Sequence, residues 1–212
     1  GPGRRVLTTV TEHNAVLRPL YELERRGLIT LTVIAPETSI VTASDVEKHL
    51  SDDVCMVVVN GVSNVTGAEN DVDGIGRLLR NTSALYLVDG AQMAGHKRIK
   101  VDNQLIDGLC VPSHKGLLGI VGAGALILGG KAKIRPTVFG GTGFDTFSKG
   151  MPDNLPESLE AGTVNLPAIL SMKEGVDYLG DNVDYVASQL KGLTEYFVSE
   201  LSARPYLRLY SI

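Results

Sequence analysis

Short apolar runs alternate with amphipathic segments along most of the chain. The apolar runs are rich in Val, Ile and Leu, as in strands that are buried on both faces. This alternation predicts an α/β fold, with a mostly parallel sheet and flanking helices that connect its strands. The predicted strands are residues 6–10, 28–34, 54–60, 84–88, 108–112 and 125–128.

Helical periodicity is found in the segments between these strands and again near the end of the chain. The hydroxyl of Ser44 predicts an N-cap for the second of these helices. The last two predicted helices are separated by a break at residues 180–182. The predicted helices are residues 13–26, 44–50, 71–80, 167–179 and 183–203.

Two segments do not fit the alternating pattern. Residues 140–165 have little periodicity and many Gly, Pro, Asp and Asn residues, which predicts a long ordered loop of functional importance. Residues 206–210 predict a further strand. We therefore expect one large domain over residues 1–203 and the start of a smaller C-terminal domain at residues 204–212.

Composition and charge narrow the class of protein. The 212 residues are 43% hydrophobic and 21% charged, which is typical of a soluble globular protein. The net charge of -4 is dispersed, so neither nucleic acid nor an anionic membrane surface is an expected partner. With neither an apolar span nor a signal-peptide pattern, we expect a cytoplasmic protein that acts on a small molecule.

The two cysteines, Cys55 and Cys110, each lie within an apolar run. This placement predicts buried, reduced thiols and argues against a disulfide. The four histidines have no ligand spacing with either cysteine, so no metal site is predicted.

Polar residues follow four of the predicted strands, at the strand ends where doubly wound folds bind ligands. Taken singly, each has a simpler interpretation: His13 as a helix cap, Asn64 as a turn residue, Asp89 as a turn cap and Lys115 as a solvated lysine. Their joint occurrence at one predicted rim indicates a single site. The four segments are residues 11–14, 60–67, 89–92 and 113–115.

These side chains suit a cofactor with a pyridine ring. A carboxylate such as Asp89 keeps a ring nitrogen protonated, and an amine such as Lys115 forms a Schiff base with an aldehyde. An imidazole such as His13 can stack on the ring, while the amides of Asn64 and Gln92 can donate to a ring oxygen. Phosphate requires hydroxyl, imidazole or backbone N–H donors, for which His114 and Thr142 are candidates.

The same segments resemble a known family. Thr-Glu-His-Asn at 11–14, Ser-Asn-Val-Thr-Gly at 63–67, Val-Asp-Gly-Ala-Gln at 88–92 and His-Lys-Gly at 114–116 are similar to successive motifs of the class V aminotransferases. This family includes cysteine desulfurases and selenocysteine lyases. Glu-Ala-Gly-Thr-Val-Asn at 160–165 is similar to a further motif, with Val164 where proline is usual.

The resemblance implies a type I fold of pyridoxal 5'-phosphate (PLP) dependent transferases, with a mostly parallel, seven-stranded sheet in a homodimer. It implies that residues 140–143 lie at the dimer interface, where Thr142 serves the phosphate of the neighbouring subunit. The implied catalytic residues are Lys115 and His13, and the implied cofactor-binding residues are His13, Asn64, Asp89, Gln92, His114, Lys115 and Thr142.

Three departures from the family pattern are visible. Pro112 stands where desulfurases commonly place a phosphate-binding serine, and Ser113 is one position away. Residues 119–122, Gly-Ile-Val-Gly, replace a more usual glycine-proline opening. The family's upstream phosphate loop would precede residue 1, and its small domain, with the substrate-binding arginine and the nucleophilic cysteine, would follow residue 212. We therefore expect a partial large domain.

The leading functional hypothesis is removal of sulfur from cysteine to give alanine, with a sulfur-acceptor protein as a further partner. An aminotransferase or another PLP lyase acting on a small amino acid would use the same residues. A non-catalytic scaffold is the alternative from another class. Nucleotide binding by the glycines of residues 116–124 is disfavoured, because they do not form a G-x-G-x-x-G turn after a first strand.

Overall fold

A six-stranded sheet is the centre of the fold. The computed structural model describes residues 3–144 and 147–210. Six residues lie outside the described part of the chain: 1, 2, 145, 146, 211 and 212. Parts of the predicted domains and of the predicted long loop fall on them. The strands are β1 (Arg5–Thr9), β2 (Thr30–Ile34), β3 (Val54–Asn60), β4 (Leu85–Asp89), β5 (Gly108–Pro112) and β6 (Gly124–Leu128).

The sheet is mostly parallel, as the sequence predicts. The strand order is β2-β1-β3-β4-β5-β6, and only the β5–β6 pair is antiparallel. The seventh strand that the family resemblance implies is not among the described residues. Because β1, β3, β4 and β5 run in one direction, their carboxyl ends share one edge of the sheet.

Helices cover both faces of the sheet. On one face, Leu20 of a first helix packs with Val6 of β1 and Val58 of β3. Helices on the opposite face contribute Val46, Leu79 and other apolar residues to the larger core. The helices are α1 (Asn14–Arg25), α2 (Ala43–Glu47), α3 (Val72–Leu79) and α4 (Leu166–Ser202), with a short 3₁₀ helix at Glu157–Leu159.

The prediction of two C-terminal helices was wrong, because α4 is continuous. A glycine inside a helix costs about 1 kcal/mol but does not end it, and Leu179 and Val183 on either side of the predicted break are both buried. Nδ2 of Asn182 donates to the carbonyl oxygen of Tyr178 at 2.8 Å. Packing against the sheet therefore outweighs the weak local propensity at the predicted break.

Two smaller predictions were also wrong. Residues 206–210 form no strand, and none of the six strands in the described part of the chain pairs with them. The N-cap of α2 is Thr42 instead of Ser44: the hydroxyl of Thr42 accepts from the backbone of Asp45, and the carboxylate of Asp45 accepts from the backbone of Thr42. This reciprocal pair satisfies two N–H groups, which Ser44 could not do from inside the helix.

In the described part of the chain, no helix combines the length and the apolar character needed to cross a lipid bilayer.

Candidate active site

A cleft lies at the carboxyl ends of β1, β3, β4 and β5, on the face of the sheet that α1 covers. It encloses about 930 Å³, which is within the usual range for small-molecule sites. Its wall includes apolar residues of α1 and β3, such as Val16 and Val58. All of the predicted cofactor residues except Thr142 line this cleft: His13, Asn64, Asp89, Gln92, His114 and Lys115.

His13 both caps α1 and lines the cleft. Its Nδ1 accepts a hydrogen bond from the backbone N–H of Ala15 at 3.1 Å. Because Nδ1 is an acceptor, the neutral imidazole carries its proton on Nε2. The capping interpretation and the site interpretation of His13 are therefore compatible, since one ring does both.

Asn64 lies on a closed loop between β3 and α3. The backbone N–H of Ser63 donates to Ala68, and the backbone N–H of Gly67 donates back to Ser63, at 2.9 and 3.0 Å. Gly67 has a φ of +75°, a conformation that favours glycine. These bonds hold the exposed side chain of Asn64 at the rim of the cleft.

Asp89 ends β4 and is followed by a tight turn that carries Gln92. Oδ1 of Asp89 accepts from the backbone N–H of Ala91 at 2.9 Å, and Oδ2 has no hydrogen bond with a described residue. Its backbone oxygen accepts from Gly61, which joins the ends of β3 and β4. The carboxylate therefore keeps one oxygen for a ligand.

His114 and Lys115 lie on the turn that follows β5, and both are exposed. The backbone oxygens of Ser113 and Lys115 accept from Gly119 and Leu118 at 2.9 and 3.0 Å, which closes the turn. Within the described residues, the ammonium group of Lys115 takes part in no ion pair. Lys115 is therefore held by its backbone and has a side chain available to a ligand.

Ser113 does not supply a hydroxyl to the cleft. The residue is fully buried, it is absent from the cleft wall, and its hydroxyl has no hydrogen-bond partner among the described residues. A β-carbon at Gly119 would overlap this hydroxyl, so Ser113 packs beneath the turn. Pro112 lines the cleft in its place and has no N–H or hydroxyl to offer a phosphate.

Thr142 lies away from the cleft, on the loop between β6 and α4. Its hydroxyl donates to the backbone oxygen of Phe144 at 3.1 Å and accepts from the backbone N–H of the same residue at 3.2 Å. These contacts shape the loop locally. The role predicted for Thr142 in a neighbouring subunit stays a prediction.

Cys110 contradicts the expectation of a buried thiol. It is in register with Asp89, it is exposed, and it lines the cleft. Although the residue as a whole is exposed, the packing around its sulfur and the negative charge of Asp89 raise the pKa of the Cys110 thiol. Cys55 is half-buried, and its thiol donates to the backbone oxygen of Arg5 at 3.3 Å.

A buried carboxyl group next to the cleft was not assigned a role from the sequence. Oε1 of Glu12 accepts from the hydroxyl of Thr9 at 2.7 Å and from the backbone N–H of Asn60 at 2.8 Å. Burial raises the pKa of Glu12 to about 7, and the charge of Asp89 acts in the same direction while the two hydrogen bonds oppose it. The signal in the sequence was its position in the short turn after β1, next to His13.

The arrangement brings an amine, a carboxylate, three amides and two imidazoles to one concave surface. The described residues contain no group of three or more His, Cys, Asp or Glu that could hold a metal ion. Such a set suits a ligand that has both a site for covalent attachment and several polar atoms.

Sequence comparison identifies relatives over most of the chain. The family model described as Aminotransferase class-V matches residues 1–212. A "Probable cysteine desulfurase" of Methanothermobacter thermautotrophicus is 33% identical over 181 residues, which are 84% of this chain and 45% of that protein. A "Cysteine desulfurase IscS" of Pseudomonas putida is 30% identical over 201 residues, which are 94% of this chain and 47% of that protein.

Solved structures show the same fold. The apo structure of a cysteine desulfurase from Thermococcus onnurineus NA1 superposes with a TM-score of 0.82 at 26% identity, over 95% of this chain and 52% of that one. The structure of DndA from Streptomyces lividans gives a TM-score of 0.79 at 23% identity, over 96% of this chain and 55% of that one. The chain spans about half the length of the curated relatives that it matches.

Proposed function

Because the chain belongs to the aminotransferase class-V family, we propose that the cleft binds PLP and that Lys115 is the residue of covalent attachment. One observation carries the proposal: side chains from four separate strand ends, which the sequence predicts as one site, line a single cleft. The stability of the fold does not require four separate segments to place an amine, a carboxylate, amides and imidazoles in one cleft.

The groups in the cleft fit the cofactor. PLP presents a pyridine nitrogen, a phenolic oxygen, an aldehyde and a phosphate, each of which needs a different partner. Among the described residues, one oxygen of Asp89 has no hydrogen bond and the amine of Lys115 has no ion pair. The amides of Asn64 and Gln92 also line the cleft. The cleft volume of about 930 Å³ also leaves space for a small amino acid.

The residues then have complementary roles in holding the cofactor. Asp89 pairs with the ring nitrogen and keeps it protonated, because an adjacent negative charge favours the cationic form. Asn64 and Gln92 donate to the phenolic oxygen, and His13 stacks on the ring. His114 contacts the phosphate, as does Thr142 of a neighbouring subunit.

The proposed reaction is the removal of sulfur from cysteine. When bound, PLP supplies an electron sink for the negative charge that develops at the α-carbon of an amino acid. Lys115, once the substrate amine has displaced it from the cofactor, would take the proton from that carbon. A thiolate would then attack the sulfur of the substrate, so that the S–S bond of a persulfide forms as the C–S bond of the substrate breaks. The electron pair of the broken bond would stay on the β-carbon, which takes up a proton, and Lys115 would return a proton to the α-carbon to give alanine. The relatives named cysteine desulfurase support this substrate.

The thiolate comes from a part of the whole protein other than the two cysteines described above. A raised pKa keeps both Cys55 and Cys110 protonated at neutral pH, and a thiol is a much weaker nucleophile than a thiolate. Four further features stay predictions that concern the whole protein: the small domain, homodimerisation, a sulfur-acceptor protein and a cytoplasmic location.

The reaction is tested with the complete protein, PLP and cysteine. We expect alanine and sulfide in equal amounts when a reducing thiol is present, and loss of both products in Lys115→Ala. Lys133→Ala changes an exposed lysine outside the cleft and serves as the control. A keto acid in place of alanine would identify an aminotransferase, whereas PLP binding without any turnover of cysteine would favour another lyase.

A further inference from the structure

Glu12 is a buried carboxyl group for which the proposed function has no role. The residue is 7% exposed, and it lies between the end of β1 and His13. Burying a carboxyl group is costly unless its oxygens find partners. A buried Glu12 beside the cleft therefore calls for a specific reason.

The contacts of Glu12 join two neighbouring strands. Oε1 accepts from the hydroxyl of Thr9, which is the last residue of β1, and from the backbone N–H of Asn60, which is the last residue of β3. One oxygen thus satisfies a donor from each strand end. The turn at residues 10–13 is fixed to both strands through this side chain.

Asn60 connects the Glu12 contacts to further buried polar groups. Its Nδ2 donates to the backbone oxygen of Thr11, in the same turn. Nδ2 of Asn70 donates to the backbone and side-chain oxygens of Asn60 at 2.9 and 2.6 Å, and Oδ1 of Asn70 accepts from Val41 at 2.7 Å. The turn is therefore part of a buried polar network, which constrains it more than solvent-exposed contacts would.

His13 lies between this network and α1. On its helix side, Nδ1 accepts from the backbone N–H of Ala15. On its other side, the peptide bond joins it to Glu12. We propose that Glu12 is a positioning residue for His13: its carboxyl group fixes the turn against the ends of β1 and β3 and thereby sets where the imidazole lies in the cleft. The benefit to cofactor binding rests on the proposed function, but the placement of His13 does not.

The second oxygen of Glu12 distinguishes two substitutions. Oε2 is buried and has no hydrogen-bond partner among the described residues. Glu12→Gln keeps the Oε1 acceptor and places an uncharged group at the position of Oε2, whereas Glu12→Ala removes the acceptor. If Glu12 positions His13 through these hydrogen bonds, Glu12→Gln should keep His13 in place and Glu12→Ala should not.

A control carboxylate is available on α1, where it contacts β2. Oε1 of Glu24 accepts from the backbone N–H of Leu31 at 2.9 Å, so this carboxylate also ties α1 to a strand, but far from His13. Glu24→Ala removes a bond of the same type. Thr9→Val removes one donor to Glu12, together with the contacts of the same hydroxyl with Thr11, and it serves if Glu12→Ala does not fold.

The test compares the imidazole resonances of His13 by NMR in the protein without cofactor, at about pH 6, where Glu12 is mostly protonated. His13→Asn identifies those resonances. We expect Glu12→Ala to shift them, Thr9→Val to shift them less, and Glu12→Gln and Glu24→Ala to leave them at wild-type positions. With PLP added, Glu12→Ala should bind about tenfold more weakly, because the imidazole of His13 that stacks on the ring is displaced.

Two results would overturn the proposal: a folded Glu12→Ala or Thr9→Val protein with wild-type His13 resonances, or a Glu12→Gln protein whose resonances move as far as those of the alanine variant. If no protein in the series binds PLP, the proposed function fails. The NMR comparison still decides the role of Glu12 in that case.

Discussion

Gly116 lies so close to Ala94 that a β-carbon at position 116 would overlap the carbonyl oxygen of Ala94. The contact is mutual, because a β-carbon at Gly95 would overlap the backbone of Gly116, and Gly95 has a φ of +83°. The turn that carries Lys115 therefore packs, backbone to backbone, on the loop that follows Gln92. The predicted ligand segments at residues 89–92 and 113–115 can therefore lie this close only because glycine stands at positions 95 and 116.

Gly116→Ala is expected to separate these two segments. The added methyl meets backbone atoms, which cannot move aside as a flexible side chain would, so we expect a loss of about 1–3 kcal/mol in the free energy of unfolding. PLP affinity should fall as well, because Lys115 moves with the turn. Urea unfolding and PLP titration measure the two effects. Gly130→Ala, where a β-carbon meets no atom within 4 Å, is the control and should be neutral; equal effects from both variants would contradict the account.

Cys110 provides a probe of cleft occupancy. In a Cys55→Ala background, alkylation of Cys110 by iodoacetamide should be slow at neutral pH, because its surroundings and the charge of Asp89 raise the pKa of the thiol. Asp89→Asn removes that charge and should speed the reaction. PLP should slow it by about tenfold or more if the cofactor covers the sulfur. Alkylation at the same rate with and without PLP would place the cofactor elsewhere.

Glu12 makes stability depend on pH. Burial raises the pKa of Glu12 from 4.5 to about 7, so the folded state holds this proton more tightly than the unfolded state. The resulting stabilisation is fully present below about pH 4.5 and is lost as the pH rises through about 7. At about 1.4 kcal/mol for each pH unit, the loss amounts to about 3 kcal/mol.

The measurement is the free energy of unfolding of wild type minus that of Glu12→Gln, followed across this range by urea unfolding. The difference should fall as the pH rises, because only the wild type must ionise a buried carboxyl group. Glu24→Gln, which changes an exposed carboxylate, should show no such trend. A flat difference for Glu12→Gln would contradict the raised pKa.

The sequence was sufficient for the six strands of the sheet and for the rim of the site, although it also predicted a strand at residues 206–210 that does not form. Apolar runs such as that of β3 are buried on both faces, so their pattern is strong, and a polar residue directly after such a run must lie at the strand end. The sequence therefore places Asn64, Asp89 and Lys115 at one edge of the sheet.

Features that depend on tertiary packing could not be predicted. The continuity of α4 through Gly180 depends on burial of its first half, and the orientation of Cys110 toward the cleft depends on strand register. One partner of Glu12 is Asn60 at the end of β3, which lies 48 residues further along the sequence. Local periodicity contains no information on such contacts.

The central claim is that Lys115 binds PLP covalently in this cleft. The direct measurement is the visible absorption spectrum after PLP is added, followed by borohydride reduction and peptide mapping. We predict a visible band in wild type and in Lys133→Ala, a reduced adduct on Lys115, and neither in Lys115→Ala. A wild-type protein that develops no band, or an adduct that maps to a different lysine, would contradict the account.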